Sequence, residues 1–500
     1  MTATPDPAGR SAAPATPRRV GARELVELVL DPGSFASWDT PVAADGWDAA
    51  YREQLASAAE RSGLDESVVT GAGTVGGRRV AVVVNDFRFL AGSIGAATAA
   101  RIVTAVRRAT AEGLPLLAST ASGGTRMQEG TPAFVGMVAI TRAVMDHRSA
   151  GLPYLAYLRH PTTGGVLASW GSLAHVTLGE PGALVGFLGP RVYEALHGEP
   201  FPPGVQTAEN LAAHGIIDAV ATPEQLRELV ELALSVLRDP AEAPRLPRRE
   251  GLHGPDALAG VEPPYDVWTA VERTREPGRA GVRDLLRHGA RSTVRLRGTA
   301  EGEQDASVII ALTRLDGQPC VLVGQDRARQ TAATPMGPAA LREARRAMRL
   351  AEELRLPLVT VIDTPGAELS VAAEQGSIAG EIARCIATMT TMTVPTVALL
   401  MGQGCGGGAL ALLPADVVVA AGDAWLSPLP PEGASVIVHG VADHAAQMAE
   451  RQRVRAHDLL ADGTVQHLVP EVVGESPEEL AVALAAECAR QLQRLRAARV

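Results

Sequence analysis

Residues 113–130 read GLPLLASTASGGTRMQEG, an apolar run after Pro115 that ends in two adjacent glycines. Small and apolar residues occupy successive positions of the run, which indicates a strand buried on both faces of a sheet. The glycines that follow predict a tight turn into a helix. The turn contains no histidine, cysteine or lysine. A reactive site at this position must therefore rely on backbone groups.

The same pattern of glycines and prolines recurs in the second half of the chain. Three landmarks match between the halves, with offsets of 240, 242 and 242 residues: Gly77 with Gly317, Pro115 with Pro357, and Pro153 with Pro395. Strand-like runs alternate with helical segments such as 339–355, so we infer two copies of one α/β fold. The expected organisation is a disordered tail over 1–20, an N-terminal domain over 21–245 and a C-terminal domain over 255–500.

The composition excludes several classes of function. The net charge of -10 argues against a nucleic-acid or anionic-membrane partner. All 46 basic side chains are arginine, which excludes a Walker lysine, a Schiff-base lysine and a biotinyl lysine in this chain. The four cysteines form no C-x-x-C pair, so neither a zinc site nor a disulfide framework is predicted. We expect a cytoplasmic protein, because no signal peptide or long apolar span is visible.

Glycine pairs between a strand and a helix can stabilise negative charge. The first N–H groups of a helix have no partner within the helix, and two of them aimed at one oxygen form an oxyanion hole. Glycine permits close approach of a ligand carbonyl. Gly123–Gly124 and the run 406–409 are the candidates, and a purely structural turn is an equally open alternative.

Other side chains are weaker candidates for functional residues. His160 precedes a second glycine turn and is a candidate for ligand contact, while Asp363 ends a strand and is expected to cap the next turn. Glu374 and Glu381 are expected on a solvated helix face. The chain contains no G-x-S-x-G motif, so a serine-hydrolase site is unsupported.

Longer motifs resemble a known enzyme family. ASGGTRMQEG, HPTTGGVLASW and EPGALVGFLGPRV resemble the β subunit of bacterial acetyl-CoA carboxylase carboxyltransferase. LPLVTVIDTPGAELSVAAEQG and VPTVALLMGQGCGGGALAL resemble the α subunit of the same enzyme. The resemblance covers about residues 68–230 and 305–475. It implies an α/β fold of two tandem crotonase-type (ClpP/crotonase-like) domains, with the β-like half first.

The resemblance also implies a reaction. The carboxyl group of N-carboxybiotin, held on a carrier protein, moves to acetyl-CoA or a related acyl-CoA, giving malonyl-CoA for fatty-acid or polyketide synthesis. The implied oxyanion donors are Gly123 and Gly124 for the thioester enolate, and Gly407, Gly408 and Ala409 for the biotin oxygen. Gly164, Gly165 and Arg126 are expected to contact the acyl-CoA. Arg78 and Arg88 are candidates for the CoA phosphates, with a solvated surface position as the default alternative. For Arg126, an ion pair with Glu129 is an equal alternative.

The implied partners are a biotin carboxyl carrier protein and a biotin carboxylase, because this chain has no lysine to carry biotin. A homodimer or a higher homo-oligomer is expected to complete the sites. No zinc is predicted, since residues 1–66 lack the four cysteines usual in the β subunit. Glu368, Leu369 and Cys405 depart from the family pattern and leave the acyl-CoA open. An acyl-CoA or malonyl decarboxylase and a non-catalytic scaffold remain alternatives.

Overall fold

The computed structural model describes residues 19–42, 47–258, 263–331 and 333–499. The strands of the first half are β1 (Ala36–Ser37), β2 (Val68–Val75), β3 (Arg78–Asn85), β4 (Leu116–Ser122), β5 (Tyr154–Thr163), β6 (Val176–Gly179), β7 (Val185–Gly186) and β8 (Ala219–Val220). Its helices are α1 (Ala22–Val29), α2 (Ala49–Ser62), α3 (Ala96–Ala111), α4 (Gly130–Ser149), α5 (Gly164–Leu167), α6 (Pro190–His197), α7 (Ala208–Ala213) and α8 (Pro223–Arg238).

The second half follows the same alternation. Its strands are β9 (Leu252–His253), β10 (Ala290–Leu296), β11 (Val308–Leu315), β12 (Gln318–Gln325), β13 (Leu358–Thr364), β14 (Thr396–Cys405), β15 (Val417–Ala421), β16 (Trp425–Ser427) and β17 (His467–Val469). Its helices are α9 (Val267–Arg275), α10 (Val282–Gly289), α11 (Pro338–Leu354), α12 (Val371–Gln375), α13 (Ile378–Thr390), α14 (Gly406–Leu410), α15 (Pro431–His439), α16 (Ala445–Gln452), α17 (Ala456–Ala461) and α18 (Pro477–Ala498).

Each half contains one mixed sheet. The first has the order β1-β2-β3-β4-β5-β6-β8, and β7 pairs with β5 beyond this path. The second has the order β10-β11-β12-β13-β14-β15-β17-β9, and β16 pairs with β14. Five consecutive strands run parallel in each sheet, β3-β4-β5-β6-β8 and β12-β13-β14-β15-β17, and the strand before each set pairs with it as an antiparallel hairpin. The carboxyl ends of the parallel strands therefore meet at one edge, where ligands bind in open α/β sheets.

The internal repeat is visible strand by strand. β4 and β13 are both 7 residues long, and β5 and β14 are both 10 residues long. Their starts, Leu116 with Leu358 and Tyr154 with Thr396, keep the 242-residue offset. The prediction of two tandem α/β copies is confirmed, whereas the domain limits at 245 and 255 stay predictions.

Local sequence explains the elements that support this edge. β12 and β13 are buried at every position, as runs of small and apolar residues require in the middle of a covered sheet. Helix α11 matches the predicted segment 339–355, begins at Pro338 and buries one face that includes Leu341 and Met348.

Residues 1–18 of the predicted tail lie outside the described residues, and Arg19 Nη1 lies 3.0 Å from Glu180 Oε2. In the part of the chain that the structure describes, no helix is long and apolar enough to cross a membrane.

Candidate functional site

Two equivalent turns form the centre of the site, one in each half. β5 ends at Thr163 and α5 begins at Gly164, with φ +60°; β14 ends at Cys405 and α14 begins at Gly406, with φ +62°. Backbone of this hand favours glycine. The 242-residue offset therefore pairs Gly165 with Gly407.

The first turn of α5 offers an N–H group to a ligand. Gly164 N–H donates to the carbonyl oxygen of Phe187 at 2.9 Å, so this group is engaged. The next N–H group belongs to Gly165. It lies in the first turn of α5, where the carbonyl four residues back is not part of the helix and so does not accept from it. Gly165 is half-buried and lines a cavity, so its N–H is the better placed donor of the two.

Gly123 and Gly124 lie against this turn but donate elsewhere. Gly123 N–H donates to Ala91 O at 2.9 Å, and Gly124 N–H donates to Ser122 Oγ at 3.1 Å. A Cβ added at Gly124 would lie 3.7 Å from the Cα of Gly164, so the two glycine turns are in contact. The donor role of Gly123 and Gly124 stays a prediction, and it requires both N–H groups to leave these partners.

A cavity of about 650 Å³ opens beside the first turn. Gly123 and Gly165 line it together with the apolar side chains of Phe134, Val138 and Phe187. Its described lining contains no histidine, cysteine or carboxylate. The volume is in the range of small-molecule sites. Chemically, the cavity can hold an apolar group and an oxyanion, and the hydroxyls of Thr141, Thr163 and Ser169 are the only side-chain oxygens in its described lining.

The second turn is more closely packed. A Cβ added at Gly407 would lie 2.5 Å from Ile382 Cδ1, and one added at Gly408 would lie 2.5 Å from Met336 Cε. Ala409 is fully buried. Side chains larger than hydrogen are thus excluded at the two glycines unless a neighbour moves. The first-turn N–H groups of α14 remain directed away from the helix.

Gln325 braces this second turn against the sheet. Its Nε2 donates to Gly408 O at 2.8 Å, while its Oε1 accepts from Asp363 N–H at 3.0 Å. The side chain therefore joins β12, β13 and α14. N–H donors that are held in place stabilise a developing negative charge more than mobile donors do, because they need no rearrangement as the charge develops.

Asp363 does not cap a helix, contrary to the expectation from sequence. Its Oδ1 accepts from Gln403 N–H at 3.1 Å, in the neighbouring strand, and its Oδ2 lies 3.3 Å from Arg327 Nε. Burial raises the pKa of Asp363 to about 6, against the opposing effect of the Arg327 guanidinium. Asp363 therefore links two strands at the site edge, because β14 passes beside β13 there.

Arg126 is buried within the chain and paired. Its side chain is 1% exposed; Nη1 lies 3.0 Å from Glu66 Oε2 and 3.3 Å from Glu129 Oε1. Nη2 donates to Ser93 O at 2.8 Å. The ion pair with Glu129 that the sequence offered as an alternative is confirmed. Arg126 thus joins the glycine turn to α2 and to the start of α3.

The other two predicted arginines are also paired with carboxylates. Arg78 holds both oxygens of Asp239 at 2.7 and 2.6 Å, and it starts β3, at the edge of the sheet opposite the glycine turns. Arg88 holds both oxygens of Asp86 at 2.9 and 2.6 Å. The structure therefore does not bring Arg78 to the site, and phosphate contact by Arg78 or Arg88 stays a prediction.

Among the weaker candidates, His160 and Glu381 contact other residues within the fold. His160 Nδ1 accepts from Leu184 N–H at 3.0 Å, and burial lowers the pKa of His160. Glu374 is exposed as expected, but Glu381 on the same stretch is buried and lies 3.2 Å from Arg342 Nε and 3.3 Å from Arg345 Nε. The expectation of a solvated Glu381 is wrong, because α11 packs against α13.

The repeat in the sequence relates the glycine turn after Pro153 to the one after Pro395, but the sequence predicts Gly165 only as a ligand contact and not as an N–H donor like Gly407. The signal was present in the 242-residue offset, which maps Gly165 to Gly407 and Gly124 to Gly366. Gly366, like Gly124, has positive φ, at +133° and +108° respectively. The repeat therefore relates the turn at Gly124 to the turn at Gly366, and the turn at Gly165 to the turn at Gly407.

Comparisons with known proteins agree with this architecture. Residues 18–487 match the family model described as the carboxyl transferase domain. A Mycobacterium tuberculosis protein named probable biotin-dependent acyl-coenzyme A carboxylase beta3 subunit is 56% identical over 481 residues, covering 96% of this chain and 95% of its own length. A Salinispora arenicola protein named acetyl-coenzyme A carboxylase carboxyl transferase subunits beta/alpha is 38% identical over 469 residues, covering 91% and 82%.

A solved structure matches the fold as a whole. The transcarboxylase 12S crystal structure with methylmalonyl-coenzyme A and methylmalonic acid bound superposes with a TM-score of 0.74, at 21% identity, covering 95% of this chain and 90% of that one. At this identity the likeness concerns the fold, and it agrees with two tandem crotonase-type domains. From the family match and the two relatives together, the chain belongs to the carboxyl transferase family.

Proposed function

We propose that this chain is the carboxyltransferase component of a biotin-dependent acyl-CoA carboxylase. The observation that carries the proposal is the pair of equivalent strand–glycine–helix turns, at Gly164 and at Gly406, at the carboxyl edges of two sheets. Carboxyl transfer between two carbonyl-containing partners develops negative charge on two oxygens. It therefore requires two sets of N–H donors and no protein nucleophile.

In the first half, the thioester oxygen of the acyl-CoA accepts from the N–H of Gly165. The apolar side chains of Phe134 and Phe187 line the space proposed for the acyl group. Gly123 lines the same cavity and joins as a second donor if its N–H leaves Ala91. The α-proton of the acyl group passes to the biotin nitrogen from which the carboxyl group has left, and the enolate carbon that forms accepts the carboxyl group.

In the second half, the N–H groups at Gly407 and Gly408 face the ureido oxygen of carboxybiotin, which is a substrate carried by another protein. This oxygen gains negative charge as the carboxyl group leaves. The close packing of Ile382 and Met336 around the turn suits a backbone approach of this kind. Biotin carboxylation must occur on a partner, since this chain contains no lysine.

We further propose that two copies of the chain face each other across these turns. Large apolar side chains are exposed near both: Phe134 at 61% and Phe187 at 69% in the first half, and Leu410 of α14 at 48% in the second. Apolar exposure on this scale marks an interface. Sedimentation is expected to give a dimer or a larger assembly, and an active monomer would contradict this part of the proposal.

The experiment that tests the function uses purified chain, free carboxybiotin and acetyl-, propionyl- and butyryl-CoA, with products read by mass. We expect carboxylated acyl-CoA, with malonyl-CoA from acetyl-CoA. Loss of CO₂ from malonyl-CoA without transfer would instead support a decarboxylase. Tight binding of the biotin carrier without acyl-CoA binding or turnover would support a scaffold.

A further inference from the structure

A second cavity, of about 430 Å³, lies where the two halves meet. Its lining includes Asp218 of the first half and four arginines of the second: Arg283, Arg295, Arg297 and Arg329. It shares no lining residue with the cavity at Gly165. Inter-domain clefts are common places for small-molecule sites.

Three of the four arginines have no carboxylate partner. Arg283 Nε donates to Asp326 Oδ2 at 2.7 Å, but no acidic group of the described residues lies within ion-pair distance of Arg295, Arg297 or Arg329. This differs from other arginines of the chain, such as Arg101 with Asp65 and Arg279 with Glu471. Exposed arginines elsewhere, such as Arg107 and Arg451, also lack an ion-pair partner among the described residues, so the distinguishing feature of Arg295, Arg297 and Arg329 is that they share one cleft.

The acidic groups at the cavity are already engaged. Asp218 Oδ1 accepts from Arg346 Nη2 at 2.9 Å, and its Oδ2 accepts from Thr177 N–H at 2.8 Å. Asp305 Oδ1 accepts from Ser307 N–H at 2.9 Å, and its Oδ2 accepts from Gly337 N–H at 3.1 Å. Asp218 is thereby paired with a cation, Arg346, whereas Asp305 is hydrogen-bonded only to neutral groups.

The third acidic side chain adds little negative charge. Burial raises the pKa of Glu343 to about 8, so this carboxyl is largely protonated at neutral pH. Burial and the neighbouring Arg283 guanidinium lower the pKa of Arg295, whereas Asp326 raises it. Arg295, Arg297 and Arg329 are exposed to solvent and so are open to a ligand. The lining holds four arginines against three acidic side chains, of which Asp218 is paired with Arg346, and the resulting excess of positive charge attracts anions.

From the unpartnered guanidinium groups of Arg295, Arg297 and Arg329 in one cleft, we propose a binding site for a phosphate-bearing anion. Guanidinium forks match phosphate oxygens in pairs, and three of them suit a diphosphate better than a single carboxylate. The phosphate has two sources: the diphosphate arm of a coenzyme A thioester, or a free phosphate metabolite that acts as an effector. Only the first source depends on the proposed function.

Calorimetric titration of the whole chain with inorganic pyrophosphate tests the site without any activity assay. The Arg295→Gln/Arg297→Gln variant is compared with an Arg107→Gln/Arg451→Gln control, which removes two exposed arginines that line no described cavity. We expect wild type and control to bind equally and the cavity variant to bind about tenfold to hundredfold more weakly. No binding to wild type, or equal binding to all three, would overturn the proposal.

Competition distinguishes the two sources of phosphate. Coenzyme A that displaces pyrophosphate, when pantetheine does not, identifies the substrate's own diphosphate. Pyrophosphate that stays bound in saturating coenzyme A identifies a separate effector site. Either result supports the site, and neither depends on whether the chain transfers carboxyl groups.

Discussion

Replacing Gly165 by proline removes the N–H group that we assign to the thioester oxygen. Gly165 is the second residue of α5, where the N–H has no helical partner, so proline costs the helix no internal hydrogen bond. Loss of one oxyanion donor typically lowers kcat by about 10²–10³, which corresponds to about 2.7–4 kcal/mol. We expect a loss of this size in kcat for carboxyl transfer.

Alanine at the same position is the matched control. A Cβ at Gly165 would lie 3.6 Å from Met137 Cγ and 3.7 Å from Thr125 Oγ1, both ordinary contacts, and the N–H is retained. We therefore expect Gly165→Ala to keep kcat within a few-fold of wild type. Thermal unfolding of both variants, followed by circular dichroism, checks that the fold survives.

Steady-state kinetics with carboxybiotin and an acyl-CoA gives the comparison. The reasoning is refuted if the proline and alanine variants, both folded, have the same kcat. In that case the oxyanion is held elsewhere in the first half, and Gly123 and Gly124 become the groups to test.

Three further predictions concern the surroundings of the site. Gly124→Ala forces φ +108° on a residue with a side chain, so we expect a loss of about 1–3 kcal/mol in the free energy of unfolding, measured in urea; unchanged stability would contradict the backbone assignment. Arg126→Met leaves Glu66 buried without its partner, so we expect the free energy of unfolding in urea to fall by about 3–5 kcal/mol. The double variant Arg126→Met/Glu66→Gln should recover part of this loss. An unaffected single variant would show that the pair is not buried in solution. Burial raises the pKa of Glu343 from 4.5 to about 8, so its contribution to stability is complete below pH 4.5 and is lost as the pH rises to about 8. In urea titrations at pH 5 and pH 8, Glu343→Gln should therefore lose less unfolding free energy between the two pH values than wild type does. An equal loss in both proteins would contradict this prediction.

Regular alternation made the fold predictable from the sequence. Buried strands read as apolar runs, and prolines and glycines mark their ends, so the offset between Pro115 and Pro357 was enough to find the repeat. The turns at Gly164 and Gly406 could be located for the same reason. Both depend on residues that are adjacent in the chain.

Pairing between distant residues could not be predicted in this way. Arg126 meets Glu66 sixty positions away, and Arg78 meets Asp239 from another element, so arginines that appear free in the sequence are neutralised in the fold. The converse holds for Arg295 and Arg297, whose lack of partners is visible only in three dimensions. Occupation of the Gly123 N–H by Ala91 also required coordinates.

The central claim is that the two glycine turns together perform carboxyl transfer. The most direct measurement is the mass of the acyl-CoA products after incubation of the purified chain with free carboxybiotin and acetyl-, propionyl- or butyryl-CoA. We predict a product heavier by one carboxyl group from at least one of the three, and its loss in Gly165→Pro. Folded, assembled protein that yields no carboxylated product from any of them would contradict the account.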